Sequence, residues 1–144
     1  MRSTGATTWM LLNLPWLALA HAQLGKSDEA WLCISEALSL IEESNQRGSE
    51  AEVHRVAGEI ALKSPEADAT KAEEYFDRAL AVARHQQAKS WELRAAMSMA
   101  RLWRDQGKVL QARELLAPVY GWFTEGFDTS DLKEAKALLG TLAK

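Results

Sequence analysis

Residues 90–120, SWELRAAMSMARLWRDQGKVLQARELLAPVY, decide the fold. Ala96, Met99, Ala100 and Trp103 recur at helical spacing, as do Val109, Ala112, Leu116, Val119, Tyr120 and Phe123. Between the two stripes, Asp105–Lys108 reads as a tight turn, with Gly107 placed where a helix ends in a left-handed residue. The stretch is therefore expected to be a helical hairpin. A hairpin with an apolar stripe on each arm cannot bury both alone, so it needs neighbours of its own kind.

Two weaker copies lie upstream. LALAHAQLGKSDEAWLCISEALSLI (17–41) and AGEIALKSPEADATKAEEYFDRALAVA (57–83) align with MARLWRDQGKVLQARELLAPVY (99–120) on a small residue near the start of each second arm. These are Ala30, Ala72 and Ala112; Ala37, Ala79 and Val119 follow, with Ile34, Phe76 and Leu116 midway. Small residues at fixed places on paired helices let the axes approach closely. The expected architecture is all-α: a superhelix of three hairpins at about 6–45, 49–86 and 89–124, closed by a capping helix at about 129–142, in one domain spanning 1–144. In that last helix Leu132, Ala135, Leu138, Leu139 and Leu142 form the stripe, while Lys133, Glu134 and Lys136 are expected to face water.

Composition agrees with a helical domain, since Ala, Leu, Glu, Arg, Lys and Gln dominate and β-branched runs are missing. At 144 residues the chain can enclose one continuous core. A net charge of −3 argues against nucleic acid as a partner. The single cysteine, Cys33, excludes an internal disulfide and fits a reducing, cytoplasmic setting. Six tryptophans are many for this length, and in helical repeats they wedge between hairpins.

The N-terminus admits two readings. Arg2, the apolar run from Trp9 to Ala20 and the small-x-small triplet Ala20-His21-Ala22 resemble an export signal, which would place the protein outside the cell. The run is too short to span a membrane. The same residues also align with the later first arms, and that alignment favours a first hairpin here. Pro15 then either starts the first helix or kinks a helix that began near Ala6; the kink is the preferred reading. No cap precedes this hairpin, so Trp9, Leu11, Leu12, Leu14 and Leu19 leave an apolar end that more chain or a second copy would cover.

Polar residues suggest where the helices begin. Ser27 before Asp28 and Glu29, the capping boxes Ser49-x-x-Glu52 and Thr70-x-x-Glu73, and Asp128 or Thr129 are the expected N-terminal caps. Gly25, Gly48 and Gly126 mark expected ends, and Ser64–Thr70, with its proline, an expected longer turn.

LALAHAQLGKSDEAWLCISEALSL resembles the tetratricopeptide repeat, with Leu17, Ala18, His21, Gly25, Ala30, Ile34 and Ala37 in signature places. More narrowly, EVHRVAGEIAL (52–62), AKSWELRAAMSMARLWRDQGK (88–108) and GWFTEGFDTSDLKEAKALL (121–139) resemble the C-terminal repeat region of bacterial multidomain signalling proteins. Those proteins join a class III nucleotide cyclase or a winged-helix domain to an AAA-type ATPase and then to helical repeats. The sequence carries no GxxxxGK[ST] phosphate loop and no cyclase domain. The resemblance implies a protein-interaction, partner-sensing or regulatory region.

It also implies that first arms line a concave face. On the residues of this chain that face takes Arg55 and Glu59 from the second hairpin, beside Glu52 and Lys63, and Arg94, Met97, Arg101 and Arg104 from the third. A guanidinium fork can hold a carboxylate or phosphate through two parallel hydrogen bonds, so an acidic peptide or a phosphorylated segment is the sharper expectation. The plainer one is that Arg101 pairs with Asp105 one turn along the same exposed helix. The terminal-carboxylate clamp of chaperone-binding relatives is not expected, because Pro15 and Leu19 stand at its places.

No catalytic, cofactor-binding or metal site is expected. His21, His54 and His85 are scattered without His or Cys at ligand spacing, and Cys33 lacks a flanking base. The adjacent pairs Glu42/Glu43 and Glu73/Glu74 diverge around the helix by about 100° and form no acid/base couple. The expectation is a non-enzymatic module for a protein or peptide, with no nucleic-acid or membrane partner. The alternatives are an enzyme subunit with an unrecognised site, or a scaffold that homodimerises through its apolar N-terminal end.

Overall fold

The computed structural model describes residues 4–63, 68–127 and 129–143. These form seven α-helices and no strand: α1 (Thr4–Gln23), α2 (Ser27–Ser44), α3 (Glu50–Lys63), α4 (Ala69–His85), α5 (Lys89–Asp105), α6 (Val109–Trp122) and α7 (Ser130–Leu142). The protein is all-α across the described residues. Helices 1 and 2, 3 and 4, and 5 and 6 pack as pairs. The odd-numbered helices also form a row in which α1 touches α3, α3 touches α5 and α5 touches α7.

The aligned alanines occupy equivalent places. Ala30, Ala72 and Ala112 are each the fourth residue of α2, α4 and α6, and each is fully buried. Their amides donate to the carbonyls of Lys26, Asp68 and Lys108, the residue before each helix, at 3.0, 3.0 and 3.1 Å. Ile34, Phe76 and Leu116 are buried one turn further on. On α3, the space that a side chain at Gly58 would fill is occupied by carbons Cδ1, Cε1 and Cζ of the Phe76 ring. The largest of the three midway residues therefore faces the smallest residue there is.

The core has two parts that meet around α3. Leu11, Leu14, Ala18, Ala30, Ile34, Ile41, Val53 and Ile60 build the N-terminal part. Phe76, Leu93, Met99, Leu116, Leu132 and Leu138 belong to the other. Trp31 packs against both. It lies 5.9 Å from the Tyr75 ring, with Lys71 Nζ 4.7 Å from its own centroid. α5 lies in the middle of the row, which is why Ala95, Ala96, Met97, Ser98, Met99 and Ala100 are all buried.

Several expected caps are corrected. The N-cap of α2 is Lys26 rather than Ser27, and no side chain caps that end. The Glu52 carboxylate does not turn back to close a box with Ser49, because Arg55 and Arg94 hold it. The N-cap of α4 is Asp68 rather than Thr70: its Oδ1 accepts from the Lys71 amide at 3.0 Å, while Glu73 accepts from the Trp103 indole at 3.1 Å. Thr129 is the N-cap of α7 without a side-chain bond; Asp128 lies outside the described residues. So do Arg2 and residues 64–67 of the expected longer turn.

The turns repeat more faithfully than the caps. After α1, α4 and α5 the same pair of backbone hydrogen bonds closes the helix: the Lys26, Ala88 and Lys108 amides donate to the carbonyls of His21, Ala83 and Trp103 at 2.8, 2.8 and 2.7 Å, and the Gly25, Gln87 and Gly107 amides to those of Ala22, Arg84 and Arg104 at 3.1, 3.1 and 3.0 Å. The residue before each donor has positive φ: Gly25 at 79°, Gln87 at 55° and Gly107 at 82°. Asn45, at φ 56°, rather than Gly48 ends α2. Pro15 lies inside α1, and Pro118 inside α6.

Candidate functional site

The row of odd-numbered helices brings residues far apart in sequence onto one face. Glu52 and Arg55 come from α3, Arg94, Met97, Ser98 and Arg101 from α5, and Asp131 and Glu134 from α7. A 380 Å³ hollow opens between them, lined among others by Arg55, Arg94, Met97, Arg101, Asp131 and Trp16. Four of the expected residues meet there: Arg55, Arg94, Met97 and Arg101. Glu59 is 3.8 Å from Arg55 Nη1 but does not line the hollow. Arg104 lies outside it, with Nε 3.2 Å from Asp105 Oδ1.

Carboxylates hold all three arginines, on its own helix for Arg55 and on neighbouring helices for Arg94 and Arg101. Arg55 grips Glu52 with its fork, Nε to Oε1 at 2.6 Å and Nη2 to Oε2 at 3.0 Å, and donates through Nη1 to the buried Ser98 Oγ at 3.3 Å. Arg94 bridges α3 and α7, donating from Nη1 to Glu52 Oε2 and from Nε to Asp131 Oδ2 at 3.1 Å. Arg101 donates through Nη2 to Glu134 Oε2 at 3.4 Å, so the expected bond to Asp105 one turn along is replaced by a link between helices. Burial by itself would lower the pKa of the Arg55 guanidinium. The hydrogen bonds and charge of Glu52, then Glu59 and Asp131, outweigh burial and raise it. The face is thus charge-balanced: Arg55, Arg94 and Arg101 meet Glu52, Asp131 and Glu134.

The network is tight at its base and loose at its rim. Glu52 is buried between Arg55 and Arg94, whereas the Arg101 and Glu134 side chains are 40% and 55% exposed and joined by one long bond. A ligand can compete for Arg101 at small cost and for Arg55 only by stripping a buried carboxylate. Trp16 adds an exposed indole, and Met97 a buried thioether. Nothing in the spacing of α5 announced Trp16, Asp131 or Glu134. Treating α7 as a fourth first arm, rather than as a lid with Glu134 toward water, would have found the two acids.

Other residues weighed in sequence stand apart. His54 is buried on α3, with Nε2 3.7 Å from Glu50 Oε2 and no partner on Nδ1. Cys33 is buried on α2, and burial, then Glu36, push its thiol up, away from the reactive thiolate. Among the described residues no cluster of three His, Cys, Asp or Glu side chains is placed to hold a metal ion. Among the same residues no helix is long and apolar enough to cross a membrane. α1 packs on α2 and α3, burying Leu11, Leu14, Ala18 and Ala22, so cleavage after Ala22 would strip α2 of its partner. No family model, curated protein or solved structure matches this chain.

Proposed function

We propose that the chain is a protein-interaction module, a superhelix of three tetratricopeptide-like hairpins and a closing helix, whose face along α3, α5 and α7 receives an extended peptide. The observation that carries this reading is the hollow between those helices, with a rigid buried ion network at its base and one loosely held arginine at its rim. A preorganised base costs little further ordering on binding, while Arg101 offers an exchangeable contact. The segment that suits it carries an acidic side chain to replace Glu134 on Arg101, beside an apolar one to lie against Trp16 and Met97. The equivalent settings of Ala30, Ala72 and Ala112 support the repeat reading. In this proposal the module performs no chemistry of its own and needs no cofactor. On the residues that resemble bacterial cyclase and ATPase regulators, it serves as the cytoplasmic, partner-sensing region of such a signalling protein.

Titration of the 15N-labelled chain with short Asp- and Glu-containing peptides that carry one Leu or Phe tests the reading. The expected result is saturable shifts at Arg101, Ser130 and Glu134, weakened about tenfold by Arg101→Glu, in line with loss of one charge-assisted contact. Equal response to Lys-containing peptides, or shifts confined to other faces, would sink it.

A further inference from the structure

The outward side of α1 carries a row of large exposed apolar side chains. Trp9, Leu12 and Trp16 follow at i, i+3 and i+7 and are 66%, 55% and 64% exposed, with Leu17 adjoining at 49%. The one polar side chain among them, Asn13, turns inward on its own helix and donates Nδ2 to the Trp9 carbonyl at 2.7 Å. No Asp, Glu, Lys or Arg occurs from Thr4 to Ala20. A hollow of 560 Å³ lined by Met10, Leu14 and, from α2, Glu36 besides the exposed side chains indents this face. A helix that is apolar on every side is one that is covered on every side, yet among the described helices α1 packs on α2 and α3 alone.

Three observations choose the cover. The exposed side of α7, at the opposite end of the row, carries Lys133, Glu134 and Lys136. Stacking α1 of one molecule on α7 of the next would bury those charges against tryptophan and leucine, which rules out a head-to-tail filament. Across a two-fold axis, by contrast, the α1 faces meet with no Asp, Glu, Lys or Arg of α1 between them, and the exposed Glu36 of α2 is the one charged side chain among the described residues that lines the hollow. Two tryptophans about two-thirds bare and two leucines about half bare offer on the order of 400–500 Å² of apolar surface per molecule. Doubled across the axis and joined by their neighbours, they reach the roughly 1,000 Å² at which specific association begins.

We propose that this chain forms an isologous dimer in which α1 packs against α1 of a second copy. Sedimentation equilibrium of the intact chain at micromolar concentration is expected to give twice the 16.0 kDa chain mass. The variant Trp9→Glu/Leu12→Glu replaces two exposed side chains outside the peptide face, and it is expected to weaken the dimer by about a hundredfold or more while keeping its helix content. Lys133→Glu/Lys136→Glu is expected to leave the dimer intact. If the double charge variant loses helix content, amide exchange of the unaltered protein supplies the check: protection across residues 9–17 is expected to rise with concentration. The proposal is overturned by a mass of 16.0 kDa at every concentration, by a mass that grows without plateau, by a dimer indifferent to the Trp9 and Leu12 charges, or by exchange independent of concentration.

Discussion

Gln87 occupies a turn position that Gly25 and Gly107 fill elsewhere, with the same pair of backbone bonds around it. A side chain at positive φ is strained by about 1–2 kcal/mol, part of which glycine loses again through unfolded-chain entropy. Gln87→Gly is therefore expected to stabilise the protein by about 0.5–1 kcal/mol, read as a higher urea midpoint at unchanged slope. His54 makes a pH prediction. Burial above all, with Arg78, holds its pKa below the ordinary value against the pull of Glu50. The unfolded chain then takes up the proton first, near pH ~6.5. The contribution of His54 is complete above that pH and is lost as pH falls through the folded pKa. Stability should decline as pH falls below about 6.5, and His54→Gln should flatten that decline. Equal slopes for the two proteins would contradict the assignment. The sequence shows His54 only as one of three scattered histidines; its burial on α3, with Nδ1 unpartnered, comes from packing.

Between elements, the decisive contact is Gly58 against Phe76. Gly58→Ala places a methyl group in the ring and is expected to cost about 1–3 kcal/mol. Phe76→Leu copies the residue at Leu116 and should recover most of that loss in the double variant, by thermal and urea unfolding alike. The ion network makes a second prediction at this scale. Glu52→Ala leaves Arg55 and Arg94 facing one another across α3 and α5. The expected cost is about 2–3 kcal/mol, below that of a fully buried pair because Arg94 keeps contact with water and Asp131. Helix boundaries and apolar stripes were legible in Ala96, Met99, Ala100 and Trp103, since periodicity reports burial directly. The caps at Ser27, Ser49 and Thr70 were not. A carboxylate such as Glu52 can serve its own helix end or a neighbour's arginine, and only packing chooses.

At the scale of the whole molecule, Trp31 joins the two halves of the core across the α3 seam. In a stacked array, cooperativity depends on such interfaces between adjacent units. Trp31→Ala is expected to separate a single urea transition into two, with α1 and α2 losing amide protection before α5 and α6. A single sharp transition in the variant would show that the halves are coupled elsewhere. From its residues alone this chain declared seven helical segments, all-α character and a recurring small residue at 30, 72 and 112, because each depends on local spacing and side-chain volume. The pairing of Arg94 with Glu52 and Asp131, the entry of Trp16 into the hollow, and the exclusion of Arg104 from it depended on tertiary structure. Side chains 37 and 42 residues apart along the chain meet only through the rotation and offset of neighbouring helices, quantities that no single helix encodes.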